Sequence, residues 1–103
     1  MAETKVVHNP GDNSYEVWSD GKLAGFTRYE EISDLTVFVH TEVDEAFAGQ
    51  GLGKILAEGA LDDVVANGGT IVPVCPFIAR FVIRNKDRYE SHVKWPKDVG
   101  IGE

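Results

Sequence analysis

The spacing of apolar side chains changes character once along this chain, near Gly51. Before it apolar positions recur at strand-like intervals, and after it at helical ones. Thr4 to His8 is a short β-prone run, and Asn9-Pro10-Gly11-Asp12-Asn13 behind it is dense in turn-forming residues. Tyr15 to Trp18 then reads as a strand with aromatics suited to a half-buried sheet. The pair Asp20-Gly21 tolerates the positive φ of a type I′ turn, which predicts a hairpin to Lys22–Tyr29, with Gly25 marking a close backbone approach. Glu30-Glu31 is expected to turn the chain again. Ile32 to Val43 carries the longest strand pattern, with Leu35, Val37, Val39, Thr41 and Val43 expected on one face and Thr36, Phe38, His40 and Glu42 on the other.

From Gly51, the residues Leu52, Ile55, Leu56, Ala60, Leu61, Val64 and Val65 follow three- and four-residue spacing, and Asn67-Gly68-Gly69 is the expected stop. Gly59 costs a helix about 1 kcal/mol relative to alanine, which implies close packing of the helix backbone on the sheet. Thr70 to Val74 reads as a buried strand. Its Pro73 has no N–H, so one neighbour must be missing there, at an edge or a splayed position. Pro76 suits the first position of a second helix carrying Phe77, Ile78, Phe81 and Val82, which fades between Asn85 and Arg88. Tyr89 reads as packing, and the tail from residue 90 is expected to be loosely ordered, with Trp95 the residue able to dock. The predicted order is four antiparallel strands, a loop, a helix, a strand and a helix, in a single α/β (α+β) domain over 1–103 with its core at about 4–89.

Composition narrows the classes of function. Hydrophobic content of 43% fits a folded globule, and no apolar run nears the roughly 20 residues that span a bilayer. With one cysteine, Cys75, no intramolecular disulfide forms, and a cytoplasmic location is the default expectation. A net charge of -7 disfavours nucleic acid and anionic membranes as partners and favours cationic ones. Any anionic ligand must then be held by local features.

One such feature is Phe47-Ala48-Gly49-Gln50-Gly51-Leu52-Gly53-Lys54. Three glycines in five positions at a helix start let N–H groups converge on an anion, a phosphate above all; the alternative is a tight strand-to-helix connection. Upstream of it, strand alternation sets His40 and Glu42 side by side, either as an acid–base pair or as a strand-end histidine and a solvated carboxylate. Cys75 falls at the cap of the second helix, where the dipole favours negative charge, and is either reactive or a small space-filler. No cysteine cluster or His-Glu helix motif suggests a metal, and His8 and His92 receive no role.

Together these stretches resemble the GNAT superfamily of acetyl-coenzyme A-dependent N-acetyltransferases. The superfamily loop reads Arg or Gln, two free residues, Gly, one free residue, then Gly or Ala. Here that register is Ala48-Gly49-Gln50-Gly51-Leu52-Gly53, with Ala48 departing from the first position. His40-Thr41-Glu42-Val43 and Val72-Pro73-Val74-Cys75-Pro76-Phe77 resemble a very small, mostly uncharacterised branch of it, over roughly Thr4 to Tyr89. The resemblance implies a mixed sheet of about five strands, with the fourth and fifth parallel and splayed around a pantetheine arm. It implies pyrophosphate on the N–H groups of Gly49, Gln50, Gly51, Leu52 and Gly53, with Lys54 adding charge. It also implies a Val43 backbone that polarises the thioester, and a basic residue such as Arg80, Arg84 or Lys86 at the ribose phosphate. The catalytic candidates are His40 and Glu42 as bases, and Cys75 as acid or nucleophile. The implied activity is transfer from acetyl-CoA to a primary amine, such as a lysine or polyamine, by a monomer or weak dimer. The alternative is an acyl-CoA-binding module without chemistry. The tight hairpin after the first strand, where larger members carry helices, implies an open acceptor pocket.

Overall fold

The computed structural model describes residues 3–47, 49 and 51–100. Five strands form one sheet in the order β1 (Thr4–Asn9), β2 (Ser14–Ser19), β3 (Lys22–Ile32), β4 (Leu35–Val43) and β5 (Thr70–Pro73). The first four are antiparallel, and β5 runs parallel to β4. Helix α1 (Leu52–Ala66) makes the crossover between β4 and β5, and α2 (Pro76–Arg84) follows β5, with a short α3 (Lys86–Tyr89) after it.

The hairpin between β2 and β3 turns on Asp20 and Gly21, at φ 51° and 80°, as a type I′ turn requires. Between β3 and β4 the turn falls at Ser33-Asp34, not at Glu30-Glu31, because both glutamates stay in the ladder opposite Val37 and Thr36 while Ser33 takes φ 58°. A second difference follows within β4. Arg28 pairs with His40 and Tyr29 with Phe38, so Val39 is an extra residue, a β-bulge that reverses the alternation of faces. Phe38 therefore points into the core beside Tyr29, whereas His40 and Glu42 share the opposite face with Arg28 and Phe26. The expectation that Phe38 and His40 share one face is corrected by that single inserted residue.

The core lies between one sheet face and α1 with α2. Tyr15, Tyr29 and Phe38 from the sheet meet Leu56, Leu61, Ile78 and Phe81 from the helices. Close approach of α1 to β1 is set at Gly59, where a Cβ would lie 2.9 Å from Val6 Cγ2. Gly25 likewise sits where a Cβ would be 2.6 Å from the Glu42 carbonyl oxygen. The buried phenols reach acceptors at the rim: Tyr15 donates to Asp63 at 2.7 Å and Tyr89 to Asp62 at 2.8 Å, while Tyr29 lies 2.6 Å from His8 Nε2. Arg88 also grips Asp62 and Glu58, tying α3 to α1. Unlike the loose tail expected, the chain after Tyr89 docks on the free edge of β5. Val93 bridges Ile71, the Lys94 N–H donates to the Ile71 carbonyl at 2.9 Å, and Trp95 packs on the core. An unpaired edge and two apolar side chains are satisfied together.

Candidate functional site

The site begins where β5 leaves β4. Their last ladder pair is Phe38 with Pro73, after which the N–H groups of Val74 and Cys75 both turn onto the Phe38 carbonyl, at 3.1 and 2.8 Å. Strand β4 continues through Val39 to Val43 with no partner on that side among the described residues, and Pro73 stands at the parting as its missing N–H requires. The Asp44 N–H donates to Ala24 at 2.7 Å, so alternation along the ladder turns the backbone groups of Val43 and Thr41 away from β3. They face the splay.

The end of this splay meets the glycine loop. Gly49 and Gly51 take φ of 82° and 72°, a region that favours glycine, and Gly51 is the N-cap of α1. Among the described residues a Cβ on either would meet nothing within 4 Å, which leaves room for a ligand there. Gly53 serves differently: a Cβ there would lie 2.8 Å from Phe77 Cζ and 3.6 Å from Val43 Cγ2. Its lack of a side chain lets the first turn of α1 sit against both α2 and the end of β4. Gln50 and Ala48 lie outside the described residues.

Between α1 and α2 an open groove of about 560 Å³ is lined by Gly53, Lys54, Phe77, Phe81 and Asn85, and by Arg80 and Arg84 one helical turn apart. Three cations around a groove beside a helix N-terminus suit a phosphorylated ligand, and they stand out on a chain of net charge -7. Of the basic residues named from sequence, Lys54, Arg80 and Arg84 line the groove together with Gly53 of the loop, while Lys86 does not.

His40 and Glu42 lie near the same end of β4 but on its other face. His40 Nε2 is 2.8 Å from Glu42 Oε2, both side chains being mostly exposed, at 58% and 63%. Beside them a shallow groove of about 380 Å³ is lined by Leu23, Gly25, Phe26, Glu42, Val43, Asp44 and Glu45. Its lining combines the apolar Leu23, Phe26 and Val43 with the acidic Glu42, Asp44 and Glu45.

Cys75 caps α2 but its side chain makes no cap bond. Cys75 is 5% exposed, and its thiol lies 3.3 Å from the Thr41 hydroxyl, which in turn lies 2.8 Å from the Thr27 hydroxyl. No hydrogen bond joins it to His40 among the described residues. Sequence reasoning placed Thr41 with apolar neighbours and missed this contact, because the bulge and the β4–β5 pairing that create it leave no local pattern.

At the far end of the sheet His8, given no role from sequence, stacks on Tyr15 with ring centroids 4.3 Å apart. Its Nδ1 lies 3.7 Å from Asp63. Burial, then the Asp63 hydrogen bond, pushes the Tyr15 phenol well above its ordinary range. Burial, followed by the charge of Glu31, raises Tyr29.

Comparisons with known proteins agree with this arrangement. The profile of the GCN5-related N-acetyl-transferase family matches residues 14–92. Protein NATD1 of Xenopus tropicalis is 40% identical over 58 residues, which span 55% of this chain and 53%, about half, of that protein. A GCN5-like protein from Staphylococcus aureus superposes over 92% of both chains with a TM-score of 0.65 at 20% identity, a likeness of fold. The ribosomal-protein-S18-alanine N-acetyltransferase from Escherichia coli superposes with a TM-score of 0.53 at 25% identity, over 56% of this chain and 38% of that one. The profile match covers most of the chain, including the splay, the glycine loop and both helices, and the chain belongs to the GCN5-related N-acetyltransferase family.

Proposed function

We propose that this chain transfers an acetyl group from acetyl-CoA to a primary amine, by direct attack within a ternary complex. The observation that carries the reading is the splay: five β4 residues, Val39 to Val43, without a β5 partner, opening beside the N-terminus of α1. Gly49, Gly51 and the first α1 N–H groups take the pyrophosphate, and Lys54, Arg80 and Arg84 take the remaining phosphate. The pantetheine arm enters the splay and pairs with the free edge of β4, which brings the thioester carbonyl to the Val43 N–H.

The helices fill one side of the sheet, so the amine approaches from the other, along the groove formed by Leu23, Phe26 and Glu42. An acidic lining suits a cationic acceptor such as a lysine side chain or a polyamine. Such an amine must lose a proton to attack, and His40 is the base, directly or through one water, held by Glu42 at 2.8 Å. Nitrogen attack gives a tetrahedral oxyanion on the Val43 N–H, and its collapse expels coenzyme A thiolate.

The test is transfer to a panel of polyamines and lysine peptides by the native chain and by His40→Ala. Transfer lost in His40→Ala, with acetyl-CoA binding retained, is the expected result. Binding without turnover of any amine would leave an acyl-CoA-binding module and sink the enzyme reading.

A further inference from the structure

Thr36 is only 9% exposed, yet its hydroxyl has no hydrogen-bond partner among the described residues. Every fully enclosed side-chain oxygen or nitrogen among those residues is paired, so the Thr36 oxygen is not enclosed by protein. It opens onto a cavity of about 380 Å³ at the start of β4, which Thr36 lines together with Gly68 and Gly69 at the end of α1. Glycine at 69 keeps the oxygen accessible, since a Cβ there would lie 3.7 Å from Thr36 Oγ1. A hydroxyl so placed is left for a ligand to pair. Glu31 faces Thr36 across the β3–β4 ladder, on the face that carries Tyr29, so its side chain stands beside that hydroxyl. Asp34 and Asp63 also line the cavity, no lysine or arginine does, and the negative end of the α1 dipole lies there. Tyr15 engages Asp63 at 2.7 Å, whereas Glu31 and Asp34 bond no side chain among the described residues. The wall is completed by the rings of Tyr15, Tyr29 and His8, the last stacked on Tyr15. Such a lining favours a cation with an apolar part. No three His, Cys, Asp or Glu side chains among the described residues are grouped to hold a metal ion, which points to an organic cation.

We propose that this cavity binds a primary alkylammonium, whose three N–H donors go to the Thr36 hydroxyl and the Glu31 and Asp34 carboxylates while its alkyl stem lies against Tyr15 and Tyr29. The site is separate from the amine groove beside His40 and Glu42. Thr36 and Val43 stand near opposite ends of β4, about 20 Å apart at the rise of a strand. Charge is divided along α1 accordingly, with Lys54, Arg80 and Arg84 around its N-terminal turn and carboxylates around its C-terminal one. The proposal does not depend on acetyl transfer.

The test is an amide-shift titration of isotope-labelled protein with n-butylammonium, 1,4-diaminobutane, the lysine-side-chain mimic Nα-acetyl-lysinamide, tetramethylammonium and magnesium chloride. Saturable shifts at Glu31, Thr36, Asp63 and Gly69 with the primary amines are the expected result, and tighter binding of the diamine or of the lysine mimic tells a free amine from a protein side chain. Thr36→Val and Glu31→Gln should each raise the Kd for n-butylammonium roughly tenfold, while shifts at Phe26 and Glu42 in the other groove stay as they are. Removing a hydroxyl that has no partner costs the ligand-free fold nothing, so Thr36→Val should keep the native melting temperature. Shifts confined to Phe26 and Glu42, or an unchanged Kd in both variants, would overturn the proposal. So would tetramethylammonium, which has no N–H to donate, or magnesium binding at these residues as tightly as n-butylammonium. A fall in melting temperature in Thr36→Val would show that the hydroxyl is already paired, and Glu31→Gln, altered at an exposed position, would then decide alone.

Discussion

Gly59 sits in the middle of α1, where helix propensity and packing pull in opposite directions. On propensity alone, Gly59→Ala stabilises the helix by about 1 kcal/mol. A Cβ there, however, would lie 2.9 Å from Val6 Cγ2 and 3.0 Å from both its Cβ and its Cγ1, inside contact distance on three atoms at once. Valine is stiff at χ1, and Val6 is fixed in the β1–β2 ladder opposite Val17, so its side chain cannot swing away without moving the strand. Overpacking of this kind costs about 1–3 kcal/mol, which leaves Gly59→Ala destabilising by about 0–2 kcal/mol. A Val6→Ala background removes Cγ1 and Cγ2 and leaves only the Cβ contact at 3.0 Å, so the same replacement should be less costly there than in the native chain, by about 1 kcal/mol. Urea denaturation of the native chain, both single variants and the double variant gives the coupling from the midpoints at constant slope. Stabilisation by the same amount in both backgrounds would refute the flush packing of α1 on β1, and with it the placement of the helix N-terminus against the end of β4.

All three tyrosines of the chain are buried with polar partners, and burial first, then the neighbouring carboxylates, raises each above its ordinary value of about 10. Below that pH both folded and unfolded chains hold the phenols protonated and nothing is lost. Above it the unfolded chain ionises first, so stability falls with rising pH, and tyrosinate absorbance should appear only together with unfolding; phenolate in the folded protein near pH 10 would contradict this. Asp62→Ala leaves the buried Tyr89 hydroxyl without its acceptor and should cost about 1–3 kcal/mol, whereas Glu58→Ala, which removes one exposed partner of Arg88, should cost clearly less; equal losses in chemical denaturation would contradict the ranking. Gly25→Ala would drive a Cβ into the Glu42 carbonyl oxygen and should lower the melting temperature by several degrees, and an unchanged melting curve would show that β3 and β4 are not so closely apposed.

Much of this architecture was legible because it rests on local chemistry. Asp20-Gly21, Asn67-Gly68-Gly69, Pro73 and Pro76 each mark a boundary by what their backbones can or cannot do, and the glycine loop announced a helix N-terminus. The turn at Ser33-Asp34 uses residues of the same kind, two positions beyond the Glu30-Glu31 pair whose charge suggests a turn. What could not be read is non-local. The bulge at Val39 arises from pairing with β3, and it changes which residues accompany His40. The Thr27–Thr41–Cys75 chain joins three strands or strand ends that only the assembled sheet brings together. The docking of Val93 on β5 answers an open edge that no window of sequence contains. For the candidate site, the loop and Lys54 were evident from motif and resemblance, while Arg84 was set apart from Lys86 only by helix phase and by where α2 lies.

The central claim, that the splay and the glycine loop together hold acetyl-CoA, is tested most directly by titrating isotope-labelled protein with acetyl-CoA and following backbone amides. Gly51→Glu is the control. A Cβ there meets nothing within 4 Å among the described residues, so the substitution sets a carboxylate at the start of α1, although φ of 72° makes any side chain there strained. Shifts concentrated at Thr41, Val43, Gly49, Gly51 to Lys54, Cys75 and Arg80, and lost in Gly51→Glu, are the predicted result. Saturating acetyl-CoA with no shift at Val43 or the loop would contradict the account.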